Sequence, residues 1–258
     1  MDLQLKDQRF IVCGASSGFG RAVAMQLLEE GAHTILAARR LKPMEELADS
    51  YPGHVELVSG DLTDSETLDS LVTLGVSKQL HGIFLNAGGP PASAAVETET
   101  KAWDDAYQQV FRWKIELVNR LLTHFRDHGY GRILFLESQS VKQPIPNLVL
   151  SNGMRAAIAG YAKTLAGEIG NEGITVNLLA PGAHQTPAIN RVIEKRAQLE
   201  ETSFPEARAA MEKQIPTGRM GKPEEIASLA AWLFSRHSGY VTGQVISHAG
   251  GNVSSLFG

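Results

Sequence analysis

Short apolar runs alternate along the chain with longer segments whose apolar positions recur every three or four residues, the pattern of buried strands separated by amphipathic helices. Strands are predicted at Arg9–Cys13, His33–Ala37, Val55–Ser59, Gly82–Leu85, Arg132–Leu136, Thr175–Leu179 and near Gln244–Ser247. Helices are predicted at Arg21–Glu30, Pro43–Tyr51, Asp64–Leu74, Trp103–Arg126, Asn152–Gly170 and Pro223–Phe234. Seven strands spaced by helices imply an α/β fold, a single-domain, doubly wound, Rossmann-like sheet that is mostly parallel and takes in residues 1–258. Two segments have no strand of their own. Asn86–Thr100 is rich in Gly, Pro and Ala and follows the C-terminal end of a strand, where such folds place ligands. Ala183–Gln214 alternates Glu, Lys and Arg around an apolar face of Ile189, Val192, Ile193, Leu199, Phe204 and Met211. It reads either as a surface helical pair or as a substrate lid over 183–215, and its emergence after the strand ending at Leu179 favours the lid.

Composition narrows the class. With 43% hydrophobic and 20% charged residues in 258, the chain can bury one large core. A formal charge of -4 provides no basic field, so nucleic acid is excluded as a partner. Cys13 is the only cysteine, which rules out an intrachain disulfide, and the first residues lack an apolar signal core; a cytoplasmic location is expected. No apolar run reaches the roughly 18 to 20 residues that span a bilayer, so no membrane association is expected.

The chemistry starts at Phe10–Gly20, an apolar strand that runs into a glycine-rich turn and then a helix. Gly14, Gly18 and Gly20 remove Cβ atoms where a backbone turns sharply against a pyrophosphate, and the following helix aims its N-terminal N–H groups at that charge. The spacing is G-x-x-x-G-x-G. Further motifs follow in order: Asp61-Leu62-Thr63 closes the third strand, Asn86-Ala87-Gly88 the fourth and Pro181-Gly182 the sixth, with Thr186 soon after. Downstream stand Ile215-Pro216-x-Gly218-Arg219-x-Gly221-x-Pro223-Glu224-Glu225, Thr242-Gly243-Gln244 and Gly250-Gly251, with Ala249 where an aspartate is usual.

Over nearly its full length the chain resembles the short-chain dehydrogenase/reductase family, in particular its ketoacyl-carrier-protein reductases. The resemblance implies that Ser16, Ser17 and Phe19 line the phosphates and ribose of a bound dinucleotide, together with Gly14, Gly18 and Gly20. By the same resemblance Asp61 and Leu62 face the adenine, Asn86, Ala87 and Gly88 the ribose, and Pro181, Gly182 and Thr186 the nicotinamide. The second strand ends in Ala38 and then Arg39 and Arg40, where an NAD-dependent member carries a carboxylate for the ribose 2′-hydroxyl. Arg39 can fork onto a 2′-phosphate, so NADP(H) is expected over NAD(H).

The catalytic positions depart from the family. Its members carry a serine on the substrate oxygen, a tyrosine as acid/base, a lysine four residues later and a helix asparagine. In this register the serine is Ser138, but the tyrosine position is Ser151, the lysine position Arg155 and the asparagine position Val110. Tyr161-Ala-Lys163 does not rescue the pair: its spacing is two, and Tyr161 lies on a different helix face from Ser151. An aliphatic hydroxyl is a far weaker acid than a phenol, so Ser151 can hydrogen-bond a carbonyl without supplying its proton, while Arg155 can still hold ribose hydroxyls. Lys142, Glu137 and His184 are candidates for a substitute acid, His184 the best of them by its titration range, but the favoured readings are solvated loop charges for Lys142 and Glu137 and an ordinary hydrogen-bonded histidine for His184. His124 and His128 stand one helical turn apart but lack a third ligand, so no metal is expected.

Two functions follow. One is an NADP(H)-dependent oxidoreductase on a small-molecule carbonyl or alcohol, with Ser138, Ser151 and Arg155 as its catalytic set. The other is a cofactor-binding protein of the same fold with little turnover, a sensor or inactive partner. The small residues of helix Asn152–Gly170, with the family's habit of pairing that helix across subunits, imply a homo-oligomer, a tetramer.

Overall fold

The computed structural model describes residues 1–256. Seven parallel strands form one sheet in the order β3-β2-β1-β4-β5-β6-β7. They are β1 Arg9–Cys13, β2 His33–Ala38, β3 Val55–Ser59, β4 Gly82–Leu85, β5 Gly131–Leu136, β6 Ile174–Pro181 and β7 Val245–His248. Helices α1 Gly18–Glu29, α2 Lys42–Ser50 and α9 Pro223–Phe234 accompany one apolar layer, where Val12, Leu27, Leu36, Phe84 and Phe234 pack together. Helices α3 Ser65–Ser77, α5 Trp113–His128 and α6 Val149–Ile169 supply the other, around Leu71, Leu117, Phe135, Ile158 and Val176. Strands buried on both faces read as continuous apolar runs, which is why β1, β4 and β5 were legible.

Strand order reverses between β1, which pairs with β2 on one side and β4 on the other. The ligand crevice of such a sheet opens above the carboxyl ends at this reversal. There the chain gathers the turn after Cys13, the loop after Leu85, and the ends of β5 and β6.

Three boundaries correct the sequence reading. The helix expected over Trp103–Arg126 is three pieces: α4 Thr100–Ala106, a π-helical segment Tyr107–Arg112, and α5. The wider turn holds Val110 buried, and the Trp113 indole N–H donates to the Gln109 carbonyl at 2.9 Å, one partner for a ladder that the π register disturbs. α6 starts at Val149 and α1 at Gly18, both earlier than expected. The segment after β6 forms α7 Pro187–Leu199 and α8 Phe204–Lys213, which enclose a small core of Ile193, Ala197, Ala207, Ile215 and Met220. Ile189, Phe204 and Met211 pack on that core as expected, but Val192 and Leu199 are exposed.

Candidate active site

The glycine turn is shaped by contacts that tolerate no side chain. Gly14 and Gly18 adopt φ of +67° and +54°, and a Cβ on Gly20 would lie 2.3 Å from the Gly14 carbonyl oxygen. A Cβ on Gly14 would meet Asn86 Nδ2 at 2.6 Å, so the loop after β4 closes directly over the turn. Asn86 Nδ2 in turn faces the Cys13 carbonyl at 3.4 Å. Ser17 is the extended N-cap of α1 and its side chain makes no capping bond, which leaves that helix end open to a ligand. From the other side Thr186, the N-cap of α7, approaches Gly18, and Phe19 meets the His184 ring edge-on with centroids 5.1 Å apart.

Around this turn lie the remaining predicted binding residues. Arg40 Nη2 donates to Ser16 Oγ at 3.2 Å, while Arg39 is 81% exposed and stands 3.9 Å from an Asp61 oxygen. Asp61 accepts from the Thr63 backbone and hydroxyl, and the backbone bond is the main reason its carboxyl is held below the usual range. Leu62 and Ala87 are half-buried against the core, and nothing crowds Gly88. Pro181 ends β6, and a Cβ on Gly182 would lie 2.9 Å from Gln139 Oε1, a buried oxygen with no hydrogen-bond partner. A glycine cradle, an uncapped helix terminus and an orphaned carboxamide oxygen beside Gly182 fit a dinucleotide with a nicotinamide end.

The catalytic corner differs from the sequence reading in one major respect. Glu137 is not a solvated loop charge: its side chain is fully buried, with Oε2 2.8 Å from Arg155 Nη1 and Oε1 2.5 Å from Lys114 Nζ. Strand β5 is interior along its whole length, so the residue that follows it is carried inward. Lys114 was not singled out at all. It lies on the core stripe of α5 beside Leu117 and Val118, and a lysine at that register demands a buried partner. Burial draws the Lys114 amine below its ordinary range, against the pull of Glu137. Ser151 and Arg155 fall on the buried stripe of α6 with Leu150, Ile158 and Ala162, and Arg155 Nε donates to Ser151 Oγ at 3.0 Å. Ser138, extended at the end of β5, accepts from the Ser140 backbone N–H at 3.1 Å.

The other titratable candidates are engaged elsewhere. His184 is buried, with Nδ1 3.0 Å from the Gly182 carbonyl and Nε2 2.9 Å from His248 Nδ1; burial lowers its pKa. It lines a cavity of about 500 Å³ with Thr217, Arg219, His248 and Gly250, apart from the Ser138–Arg155 corner. The Tyr161 hydroxyl donates to Asn119 Oδ1 at 3.1 Å and burial pushes it up to about 12. Lys142 is half-buried and lowered first by burial, then by the charge of Lys163. His124 faces the Leu80 carbonyl and His128 the His124 carbonyl, and among the described residues no group of three His, Cys, Asp or Glu could hold a metal.

A parallel doubly wound sheet with a glycine turn at its switch point defines a dinucleotide-binding α/β protein. Residues 14–252 match the family model described as Enoyl-(Acyl carrier protein) reductase. The chain belongs to the short-chain dehydrogenase/reductase family of NAD(P)-dependent oxidoreductases. It is 31% identical over 259 residues to 3beta-hydroxysteroid dehydrogenase 1 of Eggerthella lenta, covering 96% of this chain and 94% of that one. It is 27% identical over 249 residues to the 3-oxoacyl-[acyl-carrier-protein] reductase FabG of Rickettsia bellii, covering 96% and 98% of the two chains. Among solved structures, L-sorbose reductase from Gluconobacter frateurii, complexed with NADPH and L-sorbose, superposes with a TM-score of 0.93 at 25% identity, over 99% of this chain and 100% of that one. No helix among the described residues is long and apolar enough to cross a membrane.

Proposed function

We propose that the protein is an NADP(H)-dependent oxidoreductase acting on a carbonyl or alcohol, with Ser138 and Ser151 on the substrate oxygen, Arg155 beside them, and no tyrosine in the proton route. The observation that carries the reading is the Arg155 Nε to Ser151 Oγ bond, held by the buried Glu137. When bound, the dinucleotide supplies the electron pair. The chain's own residues bind it at Gly14–Gly20 and Asn86–Gly88, orient its nicotinamide end at Pro181–Thr186, and offer hydroxyls to the substrate oxygen.

Preference for the 2′-phosphate rests on Arg39, exposed at the end of β2, with Arg40 beside it tied to Ser16. The L-sorbose reductase structure with NADPH supports the same reading. α7 and α8 serve as the substrate lid over 183–215. In α6, Ala156, Ala157, Gly160 and Gly167 are exposed and nothing lies within 4 Å of a Cβ on Gly160 or Gly167, which suits a helix pairing across subunits of a homotetramer in the cytoplasm.

Fluorescence titration with NADPH and NADH, followed by a carbonyl panel, tests the reading. NADPH is expected to bind at least about tenfold tighter, since a charge-assisted bond to phosphate contributes about 1.5–3 kcal/mol. Tighter NADH binding overturns the preference. The second function, cofactor binding with little turnover, is favoured by the absence of an acid at Ser151; binding without turnover of any carbonyl would establish it.

A further inference from the structure

We propose that the Ser138–Ser151–Arg155 corner is an oxyanion site lined by hydrogen-bond donors and that its substrates are quinoid, carbonyl compounds whose reduced form is a phenol. The inference deepens the oxidoreductase reading above and rests on it.

Each of the three groups has a donor left for a ligand. Ser138 Oγ accepts from the Ser140 N–H, so its own hydrogen is free for a ligand. Ser151 Oγ accepts from Arg155 Nε, which leaves its hydrogen in the same position. Arg155 carries donors only. Its Nη2 has no partner among the described residues and faces the loop after β4, 3.2 Å from where a Cβ on Gly89 would stand. Glu137 has each oxygen paired with a cation, Lys114 on one and Arg155 on the other. Arg155 also brings the two serines into one corner, because it bonds Ser151 with one nitrogen and the residue next to Ser138 with another. α6 packs against the short turn Gln139–Val141 that follows Ser138.

Among the described residues no neighbouring group is set to give a proton. Lys114 lies behind Glu137 with its side chain 1% exposed. Cys13 is buried and its thiol is pushed up to about 12. Tyr161 is bonded to Asn119, and His184 to Gly182 and His248. Lys142 shares its surroundings with Lys163, which lies two helical turns beyond Arg155. Reduction of a simple ketone leaves an alkoxide, a strong base that needs an acid in the transition state. Reduction of a quinone leaves a phenolate, whose conjugate acid titrates near about 10, and donors alone can hold it. The quinone takes two electrons and one hydrogen from the reduced nicotinamide, which is oxidised. The hydrogen, with its electron pair, forms an O–H bond at the far carbonyl oxygen; both carbonyl π bonds are given up as the ring becomes aromatic, and the pair displaced onto the near oxygen becomes the phenolate lone pair facing Ser138, Ser151 and Arg155. On release, water supplies the last proton and becomes hydroxide.

A spectroscopic probe tests this without turnover. para-Nitrophenol is colourless as the phenol and yellow as the phenolate, and it is titrated with pH against the protein saturated with oxidised NADP. The bound probe should ionise about one pH unit or more lower than the free probe, a tenfold preference for the anion. Ser138→Ala and Ser151→Ala, small changes that spare the buried charges, should each remove at least half of that shift while thermal melts confirm folding. In turnover, menadione should exceed cyclohexanone at least tenfold in kcat/KM with NADPH. An unshifted or raised midpoint, no probe binding, or the reverse order of substrates overturns the quinoid assignment. If neither dinucleotide binds, the oxidoreductase reading itself falls; dinucleotide binding without phenolate preference retires only this inference.

Discussion

Arg155 Nη1 donates to Glu137 Oε2 at 2.8 Å inside the protein, and the same carboxylate holds Lys114 through its other oxygen. One anion on the sheet thus clamps a cation from each of two helices. Removing it strands two buried charges, whereas replacing the whole set removes the desolvation penalty as well. Glu137→Gln should therefore destabilise the fold by about 3–5 kcal/mol. The triple change Lys114→Met/Glu137→Met/Arg155→Met should lie much closer to the parent. Urea denaturation of the three proteins checks both; a Glu137→Gln loss no larger than that of the triple would show that the clamp is not a buried ion pair in solution.

Gly20 allows the turn to close. A Cβ there meets the Gly14 carbonyl oxygen at 2.3 Å and the Cys13 carbonyl oxygen at 2.9 Å, all main-chain atoms that no side-chain rotation can clear. Gly20→Ala should lower stability by about 1–3 kcal/mol, the range for overpacking, and weaken NADPH binding at least tenfold because the cradle must open. Calorimetry and fluorescence titration read the two effects.

Much of this geometry was legible in the chain. β4 and β5 are fully interior, β1 is interior from Phe10 on, and all three announce themselves by apolar runs, while Gly14, Gly18 and Gly20 mark a turn that suits glycine. The clamp was not legible, because its three members are far apart in sequence: Glu137 looks like a loop charge when read locally, and Arg155 reads as a cofactor ligand, not as the partner of a buried carboxylate. Lys114 carried the best available signal: it sits in register with Leu117, Val118 and Leu121, on a face that should be apolar. Glu137 carried another, as a carboxylate directly after an unbroken apolar strand. The π segment was hidden for a different reason. It preserves helical composition through Tyr107–Arg112 and changes only the hydrogen-bond register, which side-chain pattern does not encode.

His81 gives the fold an acid-sensitive point away from the site. Its Nδ1 accepts from the Arg9 N–H at 3.0 Å, a role that a proton on that nitrogen abolishes. Burial, with help from Arg236 and Arg9, lowers the folded pKa to about 4 from 6.5. Between those values the unfolded chain binds the proton and the folded one does not, so this contribution to stability is intact above about pH 6.5, shrinks as pH falls, and is fully lost near pH 4. After allowing for the partial exposure of the ring, the loss should be about 1–2 kcal/mol. Comparing urea midpoints at neutral and mildly acid pH, His81→Gln should show a flatter dependence than the parent, because the carboxamide oxygen can accept from Arg9 without titrating.

The family's tyrosine and lysine, placed at 151 and 155, test whether the corner is a substitute or a relic. If position alone decided it, the double change Ser151→Tyr/Arg155→Lys should restore proton transfer. The structure predicts otherwise, since Glu137 stands where it would take a lysine at 155 as it now takes Arg155, and a lysine paired with a buried carboxylate is turned from the phenol it should polarise. The double variant should therefore reduce cyclohexanone with NADPH little better than the parent. Adding Lys114→Met and Glu137→Gln removes the competing carboxylate and the amine that depends on it, and turnover should then rise by about 10²–10⁴, the range for a working general acid. A pH profile gives the discriminating sign: the fourfold variant should lose ketone reduction as pH rises through the ionisation of the new phenol, while the parent shows no such limb. Full activity in the double variant would mean that Glu137 does not govern position 155, and the clamp would be structural only.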